Sequence, residues 1–169
     1  MTEQLFYCVL GTLQGWMGVL ASKAGLRRCT LPRCSAEDAA KELGAAVQQA
    51  TQSQGPFEDL IARFKAYYRA EKVDFPDRLD LSRATDFQRQ VWEAARTIPW
   101  GETRSYQWVA SHIGKPRAAR AVGQALGQNP LPLIVPCHRV LTTDGKLGGF
   151  TGGLDMKRLL LKTEGVDVC

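Results

Sequence analysis

Apolar residues fall in short runs at the start of this chain and at the helical period further along, and a domain boundary is expected near residue 82. In the first thirty positions the apolar runs are short. Phe6 to Leu10 is followed by the break Gly11 to Gln14, then by Gly15 to Leu20, then by the turn Ala24-Gly25 and Leu26 to Leu31. Short apolar runs punctuated by glycine turns predict three strands joined by two hairpins, hence an antiparallel sheet. The alanine-rich stretch 36–49 follows Ser35, a side chain suited to accept a hydrogen bond at a helix N-terminus, so one helix is expected there. Gln52-Ser53-Gln54-Gly55-Pro56 breaks the pattern, and Phe57, Leu60, Ile61, Phe64 and Tyr68 resume it at the helical period. The extended, polar stretch from Asp74 to Arg83, with Pro76 inside it, reads as a linker. The sequence thus predicts a sheet-and-helix domain over 1–82 and a second domain over 83–169.

The second half is patterned for helices. Thr85-Asp86-Phe87-Gln88 has the spacing of a capping box, and the helix it opens runs through Val91 and Trp92 to Thr97. Ile98-Pro99-Trp100-Gly101 stops it. Ser105 is placed to cap a helix running to His112, Ile113-Gly114-Lys115-Pro116 is a tight break, and 117–127 is a third helix with one small face and one basic face. Helix, short turn and small-residue helix is the helix-turn-helix pattern, although many such hairpins bind nothing. Gly148 to Gly153 lacks the spacing and the Lys-Ser/Thr ending of a phosphate loop, so it reads as a tight loop that brings backbone close to a ligand. Met156, Leu159, Leu160 and Thr163 predict a last amphipathic helix ended by Gly165. The expected class is α+β: a small N-terminal antiparallel sheet with helices, followed by a mainly helical C-terminal domain containing a helix-turn-helix.

Charge sharpens this picture only through its distribution. The net charge of +5 over 169 residues permits a polyanionic partner without requiring one. Arg104, Lys115, Arg117, Arg120 and Arg139, however, fall within one segment of the second half. No apolar run approaches the length of a membrane span, and Met1 to Leu10 lacks the features of a secretory signal, so a soluble cytoplasmic protein is expected. The five cysteines, Cys8, Cys29, Cys34, Cys137 and Cys169, are odd in number and form no C-x-x-C pair. Cys29 and Cys34 are spaced for a local disulfide, or to join Cys8 at a metal. With no second ligand pair at zinc-site spacing, inert buried thiols are the favoured reading.

The candidate chemistry lies between Asn129 and Val140. Three prolines confine this backbone, and the apolar run Leu131 to Val135 is suited to burial, which would carry Cys137 into a partly enclosed position beside His138. A thiol is a useful nucleophile only as the thiolate. With a free pKa of about 8.5 it needs a base, a positive charge or a helix N-terminus nearby. His138 is the obvious base and Arg139 adds charge. Sequence neighbours do not face each other in a strand, so contact through a water or a turn is expected. An arbitrary Cys-His pair is more often a structural cysteine beside a surface histidine. Here the proline brackets, the glycine-rich loop and the adjoining helical pair favour a functional site.

Ile134-Val135-Pro136-Cys137-His138-Arg139-Val140 resembles the signature of the methylated-DNA-protein-cysteine methyltransferases, also called 6-O-alkylguanine-DNA alkyltransferases. The resemblance spans Phe87 to Gly165 and includes Ile98-Pro99-Trp100-Gly101-Glu102, Ser105-Tyr106, Arg117 to Gly123, Asn129-Pro130 and Gly152-Gly153-Leu154. It implies a stoichiometric, irreversible transfer of a methyl or alkyl group from the 6-oxygen of guanine in double-stranded DNA to Cys137. The minor groove is the expected approach, no cofactor is expected and the protein is expected to be a monomer. It implies His138 as a water-mediated base, Glu164 as the acid that polarises it, and Asn129 as the residue ordering the turn. Tyr106 is the implied donor to the guanine ring. Arg120 would fill the gap left by the flipped base. The Val140 carbonyl and the Thr151 amide would read the base edge, and Gln107, Lys115 and Arg139 complete the implied DNA contacts. Phe150 stands where many relatives have Tyr, and Thr151 replaces a common Ser. Some relatives bind zinc in the first domain, but Ser22 and Arg27 lie near those ligand positions, so no metal is expected. His112 lies outside the motif. Two other readings remain at this point: a DNA-binding module that flags alkylated bases, and a thiol hydrolase using Cys137, His138 and Glu164.

Overall fold

A computed structural model describes residues 2–168. Cys169 lies outside them, and so does the question of its role. The chain divides into two compact units, Met1–Ser82 and Arg83–Cys169.

In the first unit, β1 (Leu5–Thr12) and β2 (Gly15–Ser22) form a hairpin from Leu5↔Ser22 to Thr12↔Gly15, and β3 (Gly25–Cys29) continues the meander on the far side of β2. The expected antiparallel core is therefore present. The sheet gains one strand that does not follow that rule: β4 (Thr51–Gln52) pairs parallel to β1 through Phe6↔Thr51 and Tyr7↔Gln52. A parallel partner needs a long crossover, and the segment 30–50 supplies it. That segment is not one helix. α1 (Ala36–Glu42) is capped by Ser35, whose side chain accepts from the Asp38 amide, but Gly44 adopts φ 90° just past its end and a 3₁₀ turn follows over Ala45–Gln49. A glycine in the left-handed region after the last helical residues is a common helix stop, and it outweighs the run of alanines.

α1 lies on the sheet so closely that a Cβ on Gly18 would come within 2.9 Å of Leu43. α2 (Glu58–Tyr68) buries Leu60, Phe64 and Tyr67. The stretch read as a linker is docked. The Leu26 amide donates to the Arg78 carbonyl and the Asp80 amide to the Leu26 carbonyl, at 2.8 and 2.7 Å. The buried Asp80 carboxylate accepts from Ser22 Oγ at 2.6 Å, Ser82 Oγ at 2.7 Å and Arg27 Nε at 3.1 Å. Ser22 and Arg27 thus both serve this carboxylate. Cys8 and Cys29 are buried and Cys34 is exposed, and none of the three forms a disulfide among the described residues. Among the described residues no group of three or more histidine, cysteine or acidic side chains is placed to hold a metal.

In the second unit, α3 (Asp86–Arg96) opens with the expected capping box: Thr85 accepts from the Gln88 amide at 3.1 Å and Gln88 Oε1 accepts from the Thr85 amide at 2.9 Å. Trp92 of α3 donates to the Ala125 carbonyl of α5 (Ala119–Gly127) at 2.8 Å, which fixes these two helices together. α4 (Tyr106–His112) is capped by Ser105 as expected, and Gly114 at φ 76° turns the chain into α5. α5 begins two residues later than the sequence pattern suggested and has no side-chain cap. β5 (Arg104–Ser105) pairs parallel with β6 (Val140–Leu141), and α6 (Leu154–Thr163) closes the unit. Among the described residues no helix is long and apolar enough to cross a membrane.

Candidate active site

The loop that carries Cys137 is built around one amide side chain. Asn129, just past α5, accepts from the Leu131 amide at 2.9 Å through Oδ1. Its Nδ2 donates to the Val135 carbonyl at 2.9 Å and to Cys137 Sγ at 3.2 Å. A single asparagine therefore ties the start of the loop to its end and touches the sulfur. Between these anchors Leu131, Leu133, Ile134 and Val135 are buried. Leu133 holds φ 73°, which costs a non-glycine residue about 1–3 kcal/mol and persists because both ends of the loop are fixed.

Cys137–Arg139 form one 3₁₀ turn rather than a strand. Successive side chains in such a turn diverge by about 120°. This divergence sends the three residues to different places. Cys137, 8% exposed, lines a cleft of about 660 Å³ together with Tyr106, Arg120, Gly123, Phe150 and Thr151. His138 points inward, where Nε2 lies 2.7 Å from Glu164 Oε1. Arg139, expected to face DNA, also points inward. Its Nε donates to Glu164 Oε2 at 2.8 Å, Nη2 to Oε1 at 3.0 Å, and Nη1 to the Ile98 carbonyl at 2.6 Å. The guanidinium is used up as the counter-charge of a buried carboxylate, and only 7% of the residue is exposed. The side chain is thus turned into the domain instead of toward the surface where a DNA contact was expected.

The ionisable groups follow from this burial. Burial pushes the Cys137 thiol up, although the Asn129 amide and the Lys157 charge pull the other way. The resting sulfur is therefore a thiol that must lose its proton when it reacts. Burial pushes His138 down despite Glu164, so the imidazole is neutral at neutral pH and able to act as a base. Burial alone would raise Glu164, but the hydrogen bonds from His138 and Arg139 bring it down to about 2. Glu164 is thus the fixed negative end of a carboxylate–imidazole pair.

The remaining expected residues divide into two groups. Tyr106 has a ring against Gly123 and a hydroxyl that donates to the Gly149 carbonyl at 3.4 Å. It also packs against Gly148 (φ 67°) so tightly that a Cβ there would come within 2.9 Å of the hydroxyl. Arg120 is exposed on α5 at the cleft, and Thr151 Oγ1 donates to the Gly127 carbonyl at 2.7 Å. The buried Val140 accepts at its carbonyl from Lys157 Nζ at 2.7 Å. Gln107 and Lys115 are exposed and do not border the cleft. Gln107 Nε2 donates to the Pro116 carbonyl at 2.7 Å, and the Lys115 ammonium sits 5.1 Å from the Phe87 ring centroid. His112, exposed, stacks on Trp108 at 4.6 Å.

Lys157 escaped the sequence reading. Its signal was present: positions 157, 160, 161 and 164 are i, i+3, i+4 and i+7, the spacing of a buried helical stripe. Two of those four residues, Lys157 and Glu164, are charged, and all four are buried. Charges on an apolar stripe need partners, and here both partners belong to the site.

A buried thiol on the wall of a cleft, backed by a neutral imidazole and its carboxylate, defines a thiol-nucleophile site. Comparison with known proteins then places the chain. The family described as 6-O-methylguanine DNA methyltransferase, DNA binding domain, matches residues 86–166. The methylated-DNA–protein-cysteine methyltransferase of Mycobacterium tuberculosis H37Rv is 52% identical over 114 residues, 68% of each chain. That of Methanosarcina acetivorans is 47% identical over 109 residues, 64% of this chain and 69% of its own. The crystal structure of the M. tuberculosis O6-methylguanine methyltransferase superposes with a TM-score of 0.78 at 38% identity, covering 95% of this chain and 93% of that one. The same M. tuberculosis protein in complex with DNA gives 0.79 at 39% identity, covering 94% and 92%. The chain belongs to the methylated-DNA–protein-cysteine methyltransferase family, and its residues 86–166 match the family's DNA-binding domain.

Proposed function

We infer that this protein repairs DNA by direct reversal, moving a methyl or other alkyl group from the 6-oxygen of guanine onto Cys137 once per molecule. The observation that carries this is the single sulfur at the cleft wall, bonded to Asn129 and followed by the His138–Glu164 pair. Residues 83–169 form the domain that performs the transfer, and residues 1–82 form a separate domain. α4, the turn after it and α5 act as a helix-turn-helix that meets the minor groove, and the protein works as a monomer in the cytoplasm.

The alkyl carbon lies inside a stacked duplex, so the nucleotide is flipped out before the sulfur can reach it in line. Arg120, exposed at the mouth of the cleft, takes the place of the flipped base. His138 shares its Nε2 proton with Glu164, so the other ring nitrogen takes the thiol proton through a water. The sulfur–carbon bond forms as the carbon–oxygen bond breaks, and the electron pair passes into the purine. Negative charge on the departing guanine is met by the Tyr106 hydroxyl at the ring and the Thr151 amide at the oxygen, and the base takes up one proton. The Val140 carbonyl reads the base edge with the lone pair that Lys157 leaves open. The product thioether has no good leaving group, so water does not reset it.

Intact mass after mixing with a methylated-guanine duplex tests this reading. The protein gains the mass of one methylene group and then stops, and Cys137→Ser gains nothing. Repeated turnover with unchanged protein mass would instead establish a thiol hydrolase. Binding without transfer would establish a recognition module.

A further inference from the structure

α5 buries Val122, Ala125 and Leu126 and turns its opposite face outward. At about 3.6 residues per turn, the middle of that outer face falls between Arg120 and Gln124. The residues around them in α5 are small: Ala119, Ala121, Gly123 and Gly127. A helix face of alanines and glycines lets the backbone approach a partner closely. On this face only Arg120 and Gln124, both exposed, project far enough to probe the floor of a groove. Both also border the cleft that Cys137 lines.

The side-chain amides of Gln88, Gln107 and Gln128 in this domain are committed. Gln88 Oε1 accepts from the Thr85 amide at 2.9 Å and its Nε2 donates to Gln128 Oε1 at 2.8 Å. Gln107 Nε2 donates to the Pro116 carbonyl at 2.7 Å. Gln124, in contrast, makes no side-chain hydrogen bond among the described residues. Its amide offers a donor and an acceptor side by side. The minor-groove edge of every base pair presents acceptors, and only a G·C pair adds a donor, the exocyclic amine of guanine. An amide matches that mixed edge, whereas the guanidinium of Arg120 carries donors alone.

We propose that Gln124 reads the base pair beside the lesion: its Oε1 accepts from the exocyclic amine of a flanking guanine while its Nε2 donates to an acceptor on the same edge. Gln124 lies one turn beyond Arg120, about 5.4 Å along α5. A base-pair step is about 3.4 Å, so with Arg120 in the gap of the flipped nucleotide the amide falls beside a neighbouring pair. This rests on the reading that α5 meets the minor groove of an alkylated duplex. It adds a sequence context: transfer is favoured where a G·C pair adjoins the damaged guanine.

Single-turnover transfer below saturation tests this, with duplexes that differ only in the pairs flanking the methylated guanine: G·C, or inosine·C. Inosine is guanine without its exocyclic amine, so the exchange removes that one donor and keeps the rest of the edge. The wild type is compared with Gln124→Ala, which places a strong helix former at an exposed position and keeps the fold. A weaker flanking pair also eases flipping, so the quantity read is the G·C to inosine·C rate ratio of the wild type divided by that of the variant. It is expected to be about tenfold. A value of one overturns the proposal, whether the variant is as fast as the wild type or slower on both duplexes alike. Transfer from the free methylated base is expected to be equal in the two proteins. A variant slowed there would show Gln124 serving the flipped base, and overturns the proposal too. A wild type that transfers from no methylated duplex sinks the functional reading itself. A wild type that transfers but does not respond to the amine sinks only the role of Gln124.

Discussion

Each unit of this protein contains a buried carboxylate held by an arginine, and the two are used differently. In the first, Asp80 is 7% exposed and accepts from Arg27, Ser22 and Ser82. In the second, Glu164 is 5% exposed and is bound by Arg139 and His138. Both are held below the usual carboxylate range by their donors, against the opposing effect of burial. The partners of Asp80 are a guanidinium, two hydroxyls and the Ser82 backbone amide, none of which exchanges a proton near neutral pH. The result is a fastener that holds the end of the 70–82 segment to β3. Glu164 has the same kind of arginine, but its second partner is an imidazole one residue from a thiol on a cleft. A buried acid becomes part of a chemical site only when a neighbour can move a proton toward something a ligand can reach.

Removing each carboxylate tests that contrast, and the largest effect is expected at Glu164. Glu164→Gln leaves Arg139 buried without its counter-charge, a loss of about 3–5 kcal/mol in stability. It also removes the polariser of His138, slowing alkyl transfer by about 100-fold in the molecules that remain folded. Asp80→Asn is expected to cost about 3 kcal/mol of stability and to leave the transfer rate per folded molecule unchanged. Chemical denaturation paired with single-turnover transfer measures both, and a slowed Asp80→Asn would break the comparison.

Acid should separate the units next. Burial holds His138 below its ordinary value of 6.5, so its contribution is complete above that pH and is lost as pH falls. Glu164 adds stability that is present above about 4.5 and disappears as pH falls toward about 2. Asp80, held lower still, loses its contribution at more acid pH. Hydrogen exchange along an acid titration should therefore show 83–168 opening at higher pH than the sheet. Simultaneous opening would contradict the assignment of these groups.

The smallest effect is expected at Arg120, which lies at the cleft without a buried partner to lose. Arg120→Ala should slow repair in duplex DNA by about tenfold and leave transfer from a free alkylated base unchanged. Equal losses on both substrates would remove its place in holding the flipped state.

Legibility in the sequence followed the range of the interactions. The Thr85–Gln88 capping box and the Ser35 and Ser105 caps were readable because each joins residues three apart. The stop at Gly44 was also written locally, but the alanines around it obscured it. The parallel strand Thr51–Gln52 was not readable, because a two-residue strand has no period and is defined only by its partner. At the site, Cys137, His138 and Asn129 stood out in one proline-bracketed stretch. The inward turn of Arg139 and the burial of Lys157 did not, since a long charged side chain in a sequence does not declare its direction.

The sequence by itself determined the strand-then-helix order, the helix caps, and the loop on which the thiol and its neighbouring imidazole lie. Those features depend on backbone preference and on neighbours a few residues away. Only the tertiary structure decided which charges face the cleft and which are buried behind it. Arg139 and Lys157 are committed by contacts with Ile98, Glu164, Val140 and Leu147, residues brought together by packing, and the cost of desolvating a charge is set where the chain closes around it.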